Sequence, residues 1–330
     1  TGAIKKDEKG NIYVSKNKED YFRKFLSEGK YIIEEKLAEK YFDGWIYSYG
    51  IYGEFNTRLK SLGIPEKKIG IAWYWIPDME KEEWKKIFSE WASTWLGYLK
   101  EEGIDFKKFY IPLLDEPKDE IIDELFETGT ILKSINPDVQ LTINPATWST
   151  LDVFKKLEPI IDLWIPWEAR LTSPGRKNVE REIEFYQNTE KSFAPYLCSM
   201  YTQTLPLLSY YRFRGIREYL LKANGIALWS FNSWRGNDWN EFDDFGQGGD
   251  CMIFYHGDNG PIPSIRAESF REGFEDFYLL LIANEKFQKN KSEKLKELID
   301  KEYLTKIMAE NNPHSVLKWR ESLIRSILEN

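Results

Sequence analysis

The sequence predicts an α/β protein of the (β/α)8 TIM-barrel type. From residue 69 onward, short apolar runs alternate with amphipathic helical stretches, which is typical of parallel strands joined by crossover helices. No strand-like run leads into Gly-x-Gly-x-x-Gly or a P-loop, the phosphate-binding signatures of open nucleotide-binding sheets. The 330 residues are enough for a barrel of about 250 residues with extensions.

The strand-like runs are rich in apolar residues. We expect strands at 69–75, 109–114, 139–144, 161–167, 196–201, 226–232 and 251–255. If 226–232 closes the barrel as its last strand, two strands must precede residue 69, and only 45–51 is convincing there. We therefore expect the N-terminal portion of the barrel to be irregular or incomplete.

Between the strands, apolar residues recur at helical spacing. Residues 79–102 carry a one-sided apolar stripe, with Asp78 as the expected N-cap and Gly103 as the stop. Similar stripes predict helices over 121–135, 181–192 and 209–223, a helix capped by Ser264, and surface helices after residue 282. The expected organisation is an N-terminal segment over 1–68, a catalytic barrel over 69–283 and a C-terminal helical extension over 284–330.

Composition excludes several classes of function. A net charge of −8 argues against nucleic acid as a partner, and no apolar run of about 18 residues predicts a membrane span. With two histidines and two cysteines, a zinc site or a histidine-dependent triad is hard to build, so we predict no metal and no cofactor. Cys198 and Cys251 are expected to be buried thiols. Compartment and oligomeric state cannot be predicted from the sequence.

Polar and aromatic residues stand at the predicted strand ends. Because the carboxyl ends of parallel strands meet on one face, these residues predict a sugar-sized pocket with stacking walls and hydroxyl partners. Arg266, in the first turn of a predicted helix, either binds hydroxyl groups there or pairs locally with Glu268. The expected substrate-binding residues are Tyr74, Trp75, Asn144, Trp167, Glu168, Tyr201, Trp229, Asn232, Trp234, Trp239 in a glycine-rich lid segment, and Arg266.

Asp115 and Glu116 follow the buried run 109–114 directly. One acid there would suit the N-terminus of the next helix, whereas two adjacent acids favour acid/base chemistry. Because their Cα atoms lie about 3.8 Å apart, we expect them to titrate as a coupled pair, one ionised and one protonated near neutrality. Such a pair suits a proton donor beside a charge-stabilising carboxylate.

Three segments resemble the catalytic domain of glycoside hydrolase family 123, and the resemblance extends from about residue 69 to 281. They are Leu114-Asp115-Glu116-Pro117, Trp229-Ser230-Phe231-Asn232-Ser233-Trp234, and the stretch from Gly260-Pro261-Ile262-Pro263-Ser264 to Glu275-Asp276. The resemblance implies a β-N-acetylgalactosaminidase that acts by substrate assistance on a glycan or glycoconjugate. It implies that Glu116 is the general acid/base, and that Asp115 orients the 2-acetamido group and stabilises an oxazolinium intermediate.

Other functions stay open at this stage. Glu168 offers a second carboxylate, which would permit ordinary retaining or inverting hydrolysis of a sugar that lacks the acetamido group. A barrel that binds carbohydrate without catalysis is the alternative from another class. A nucleotide-dependent enzyme is less favoured, because the glycine fingerprint is missing.

Overall fold

A computed structural model describes residues 3–18, 20–21, 45–46, 50–67, 75–173, 176–199, 204–233, 237, 239–240, 251–257 and 260–330. The chain forms two compact units, an N-terminal unit over Thr1–Trp164 and a C-terminal unit over Ile165–Asn330. The acid pair Asp115 and Glu116 belongs to the N-terminal unit. Most of the aromatic and arginine residues predicted to bind substrate belong to the C-terminal unit. Each unit is described by itself.

The N-terminal unit is built on parallel strands. Its described strands are β1 (Ile4–Lys6), β2 (Ile12–Val14), β3 (Trp45–Ile46), β4 (Phe109–Asp115), β5 (Gln140–Asn144) and β6 (Leu163–Trp164). β1 and β2 form an antiparallel hairpin, whereas β3, β4, β5 and β6 lie side by side in that order and run parallel. The carboxyl ends of β4 and β5 therefore lie at the same edge.

Helices follow these strands. They are α1 (Ile51–Ser61), α2 (Lys81–Glu101), α3 (Ile122–Ile135) and the short α4 (Leu151–Phe154), with 3-10 turns at Phe106–Lys108, Asp119–Ile121 and Lys155–Leu157. The apolar stripe of α2 is buried as predicted, and Trp84 stacks on Phe88 with ring centroids 4.9 Å apart. The predicted cap is wrong: α2 begins at Lys81, and the Asp78 N–H donates instead to the Pro65 carbonyl at 2.8 Å.

The C-terminal unit contains short strands. They are β7 (Ser192–Phe193), β8 (Tyr196–Cys198), β9 (Ala227–Trp229), β10 (Asn232–Ser233), β11 (Cys251–Met252), β12 (Phe254–Tyr255) and β13 (Ile262–Pro263). β8 and β9 pair in parallel, whereas β10 pairs with β11 and β12 pairs with β13 in antiparallel fashion. Cys198 and Cys251 are thiols, as predicted, but only Cys251 is buried, whereas Cys198 is half-buried.

The C-terminal unit also contains helices. They are α5 (Ala169–Thr172), α6 (Val179–Asn188), a π-helical turn at Leu207–Arg212, α7 (Arg214–Leu221), α8 (Ile265–Asn290), α9 (Glu293–Leu298), α10 (Lys301–Glu310) and α11 (Pro313–Glu329). Ser264 caps α8 as predicted, because its hydroxyl accepts from the N–H groups of Arg266 and Ala267. The predicted C-terminal helices pack around the buried Trp319.

The α/β class and the parallel strand order are confirmed, whereas closure into eight strands and the three-segment division stay predictions. The predicted strand over 45–51 is only partly correct, since β3 covers Trp45–Ile46 and α1 begins at Ile51. The predicted strand over 226–232 is interrupted between β9 and β10. The predicted strand over 69–75 lies outside the described residues except for its last residue.

Candidate active site

The acid pair lies where β4 ends, directly after an irregularity in the strand. Pro112 pairs with Thr142 and Asp115 pairs with Asn144, so three steps along β4 match two steps along β5. One extra residue is therefore accommodated in β4, as in a β-bulge. Leu113 and Leu114 are consecutively buried, and Asp115 is exposed. The bulge thus ends the buried part of the strand and leaves the Asp115 carboxylate at the edge.

Gly50 backs this bulge from the start of α1. A Cβ atom on Gly50 would lie 2.3 Å from the Leu114 Cα and 3.0 Å from the Leu113 carbonyl oxygen. Atoms of the backbone cannot rotate away from such a contact as a side chain does. The close approach of α1 to the strand end therefore requires glycine at this position.

Glu116 has an unusual backbone conformation. Its φ of 43° is in the left-handed region, and Pro117 follows it, although residues before proline favour extended backbone. Such a conformation costs on the order of 1–3 kcal/mol and persists only where contacts enforce it. The Glu116 N–H donates to Asn144 Oδ1 at 3.3 Å, and its carbonyl accepts from Trp148 Nε1 at 3.1 Å. Contacts on both sides of the residue therefore hold the half-buried Glu116 in place.

Asn144, the last residue of β5, contacts both acids. While its Oδ1 accepts from the Glu116 backbone, its Nδ2 donates to Asp115 Oδ1. The structure thus brings together three of the residues that the sequence predicts for the site, namely Asp115, Glu116 and Asn144.

The loop after β5 is tied to the loop after β4. The Ser149 hydroxyl donates to the Pro117 carbonyl, and Asp119 accepts from the N–H and hydroxyl of Thr150 at 2.9 and 2.8 Å. The Trp148 indole is 49 % exposed although its N–H is bound to Glu116. Sequence reasoning missed Trp148 because it considered strand ends and not the loops that follow them. A tryptophan four residues beyond Asn144 was the available signal.

Glu168, in the C-terminal unit, is buried between two arginines. Its Oε2 lies 2.8 Å from Arg214 Nη1, and its Oε1 lies 2.8 Å from Arg217 Nε. Both carboxylate oxygens are therefore occupied by cations of the same unit. This arrangement favours a structural role for Glu168 over that of a nucleophile or base.

Glu218 extends this buried cluster. Its Oε1 lies 2.9 Å from Arg214 Nη2, and the side chain is fully buried. Burial raises the pKa of the Glu218 carboxyl to about 8, with Arg214 acting in the opposite direction and the charge of Glu168 adding to the rise. Glu218 is therefore an interior carboxyl that burial shifts toward its neutral form, while its contact with Arg214 opposes that shift.

Trp239 and Tyr255 form a stacked pair in the C-terminal unit. The two rings lie 4.3 Å apart at 9°, and the indole is 58 % exposed. The buried Arg266 donates from Nη2 to the Tyr255 hydroxyl at 2.5 Å. The predicted local pair of Arg266 with Glu268 is not seen, because Glu268 pairs with Arg271 at 2.9 Å. Arg266 thus holds the Tyr255 ring, on which the exposed Trp239 indole stacks.

The remaining predicted residues are placed as follows. Trp229 ends β9 and is 53 % exposed, whereas Trp75 and Trp167 are half-buried. The backbone of Asn232 belongs to β10, but its side chain is outside the described part of the structure. Outside the described residues lie Tyr74, Tyr201 and Trp234.

Comparison with known families decides the class of protein. The family described as glycoside hydrolase 123, catalytic domain, matches residues 37–283, which is well over half of the chain. The chain belongs to glycoside hydrolase family 123. This confirms the resemblance seen in the sequence and makes the protein a glycoside hydrolase with a glycan substrate.

Solved structures and curated proteins add little to the family 123 assignment. The chain is similar to an Ignisphaera aggregans GH53 catalytic domain, with 14 % identity and a TM-score of 0.43 over 82 % of each chain. It is also similar to a mutant glycoside hydrolase family 5 mannosidase from Rhizomucor miehei in complex with mannosyl-fructose. That match has 10 % identity and a TM-score of 0.31, over 69 % of this chain and 67 % of the other. No curated protein matches the chain.

Two further features of this family 123 member concern membranes and metal ions. None of its described helices is long and apolar enough to cross a membrane. Within the same residues, no group of three or more histidine, cysteine or acidic side chains could hold a metal ion.

Proposed function

We propose that the protein is a retaining glycosidase that removes terminal β-linked N-acetylgalactosamine, or a related N-acetylhexosamine, by substrate-assisted catalysis. One observation carries the proposal: two adjacent acids end β4 at the sheet edge, one exposed and one half-buried, and the neighbouring strand contacts both. Two adjacent acids can act as a proton donor and a neighbouring anion. In this arrangement the protein itself supplies no nucleophile. The substrate's own acetamido oxygen then supplies the nucleophile.

In the proposed first step, Glu116 donates its proton to the glycosidic oxygen as the C1–oxygen bond breaks. The acetamido carbonyl oxygen forms a bond to C1 from the opposite face, which gives an oxazolinium ion. Asp115 accepts a hydrogen bond from the acetamido N–H and stabilises the positive charge that develops on the ring. The acetamido group is thereby held in the orientation that the attack requires.

In the second step, water attacks C1 and Glu116 takes its proton. The bond between C1 and the acetamido oxygen breaks, and the acetamido group is restored. Each step inverts C1, so the sugar is released with its β-configuration retained. Glu116 acts first as acid and then as base, as a single positioned carboxyl group can.

The geometry of Glu168 favours this mechanism over hydrolysis with two protein carboxylates. A nucleophilic or basic carboxylate needs an oxygen directed at the substrate. Both oxygens of Glu168 instead face Arg214 and Arg217 at 2.8 Å. Glu168, the second carboxylate of the alternative mechanism, is therefore already paired with two arginines of its own unit.

A pair of aryl glycoside series tests the substrate and the mechanism together. Aryl 2-acetamido β-glycosides should be hydrolysed, and the matching 2-hydroxy β-glycosides should be nearly inert, because only the first series carries the internal nucleophile. Rapid turnover of the 2-hydroxy series would contradict substrate assistance and favour the two-carboxylate mechanism. Comparison of galacto- and gluco-configured members identifies the preferred sugar.

Two further measurements separate catalysis from carbohydrate binding alone. A thiazoline analogue of the oxazolinium ion should inhibit the enzyme in competition with substrate. Nuclear magnetic resonance of the early reaction should show the β-anomer as the first sugar released. Glycan binding without hydrolysis would instead support the non-catalytic alternative.

A further inference from the structure

We propose that Asn144 is a positioning residue that sets the orientation of both acids, in addition to any contact it makes with substrate. The inference rests on the proposed function and deepens it. Asn144 ends β5, the strand beside β4, and its single amide group contacts Asp115 and Glu116 at once. One side chain therefore contacts the Asp115 carboxyl group and the Glu116 backbone, and the proposed reaction gives these two residues different tasks.

The orientation of the Asn144 amide follows from its partners. The backbone N–H of Glu116 can only donate, so the Asn144 atom 3.3 Å from it must be the oxygen. The amide nitrogen then faces Asp115, and it can only donate. Asn144 therefore presents its oxygen to the Glu116 backbone and its nitrogen to Asp115, which fixes the direction in which the Asp115 carboxyl group is turned.

The same amide also stabilises the left-handed backbone of Glu116. Asn144 holds the peptide N–H of this residue, and Trp148 holds its carbonyl. Without Asn144, one of these two anchors is lost, and a residue before proline favours extended backbone. A change of φ at Glu116 swings its carboxyl group away from the position that the strand end gives it. Asn144 thus controls the direction of the proton donor as well as the orientation of the neighbouring Asp115 carboxyl group.

The proposal predicts a loss of rate without a matching loss of substrate binding. Asn144→Ala should lower kcat by about 10- to 100-fold, as small misplacements of catalytic groups do, with KM within about threefold of the parent value. Asn144→Asp keeps an acceptor for the Glu116 N–H but sets a carboxylate against Asp115. It should be impaired at least as much as Asn144→Ala. Gln140→Ala, at the other end of β5, is the matched control and should retain the parent kcat.

Substrates with fluorinated N-acyl groups make the test specific. Fluorination weakens the acetamido oxygen as a nucleophile, so kcat of the parent should fall steeply from N-acetyl to N-difluoroacetyl glycosides. In Asn144→Ala this dependence should be altered, because Asp115 no longer orients the participating group correctly. Thermal unfolding of each variant establishes that the folded protein is being compared.

Three results would overturn the inference. They are a parent-like kcat and fluorine dependence in Asn144→Ala, a raised KM with unchanged kcat, and a rate loss that the unfolded fraction accounts for fully. The raised KM would leave Asn144 a substrate-binding residue only. A parent enzyme indifferent to fluorination would instead show that the proposed function itself is wrong. The two failures are therefore distinguishable within one data set.

Discussion

At the scale of single residues, the acid pair is defined by a left-handed backbone conformation at Glu116, the residue before Pro117. A left-handed glutamate before proline is unfavourable by about 1–3 kcal/mol. The contacts from Asn144 and Trp148 compensate for it, one on each side of Glu116. Strain of this kind concentrates at functional sites. The conformation of Glu116 is therefore independent support for the role that its chemistry suggests.

Replacement of Glu116 by glutamine should remove the proton donor and leave the fold intact. Since general acid catalysis contributes about 10²–10⁴-fold, Glu116→Gln should lose that factor on glycosides with a poor leaving group. Substrates with a dinitrophenyl leaving group, which needs little protonation, should retain much more of their rate. Glu120→Gln, an exposed acid in the same segment, is the control and should match the parent. Parent-like turnover of an unactivated glycoside by Glu116→Gln would eliminate the assignment.

Replacement of Trp148 separates its hydrogen bond from its ring. Trp148→Phe loses the N–H that binds the Glu116 carbonyl but keeps an aromatic surface, whereas Trp148→Ala loses both. Because the indole is half-exposed beside the acid pair, we expect Trp148→Phe to lower mainly kcat. Trp148→Ala should in addition raise KM. Steady-state kinetics on one aryl 2-acetamido glycoside distinguishes the two effects, and identical parameters for the two variants would contradict this division.

At the scale of elements, the site depends on how tightly α1 packs against the end of β4. The bulge at Leu113 and Leu114 directs Asp115 outward, and Gly50 lets the start of α1 approach that bulge. Neither the strand nor the helix alone determines where the acids point. Their direction is a property of the packing between the two.

Gly50→Ala should therefore impair both stability and activity. Its Cβ would lie 2.3 Å from the Leu114 Cα, so α1 or β4 has to move, and overpacking of this kind costs about 1–3 kcal/mol. Gly97→Ala on α2 is the matched control, because nothing lies within 4 Å of its Cβ position. That change should stabilise the helix by about 0.5–1 kcal/mol. Chemical denaturation and kcat measure both effects, and a parent-like Gly50→Ala would contradict the argument.

The strand ends that carry the acid pair and Asn144 could be predicted from the sequence, whereas the packing around them could not. The buried run before Asp115 and the helix after it are local patterns, so the acids and Asn144 could be assigned to strand ends that share an edge. The bulge in β4 and the approach of Gly50 depend on contacts between segments far apart in sequence. No local pattern encodes such contacts. For the same reason, the sequence did not reveal that two arginines form salt bridges with the Glu168 carboxylate.

At the scale of the whole molecule, charged side chains form ion pairs in the interior as well as on the surface. Arg170 lies 2.9 Å from Glu182, and Arg212 lies 3.1 Å from Asp276, with all four side chains buried. Removal of one partner from such a pair typically costs 3–5 kcal/mol, because it leaves a buried charge without compensation. Sequence patterns assign charged residues to the surface by default. These internal pairs therefore became visible only in the structure.

The buried Glu218 gives the molecule a stability that should depend on pH. Because burial raises its pKa from 4.5 to about 8, the folded state binds this proton more tightly than the unfolded state. The free energy of unfolding should therefore decrease as pH rises through that interval. Glu218→Gln cannot ionise, so its Tm relative to the parent should increase between about pH 5 and about pH 8.5. The exposed Glu190→Gln is the control. Parallel Tm profiles for the parent and Glu218→Gln would show that this carboxyl does not titrate in the folded protein within that range.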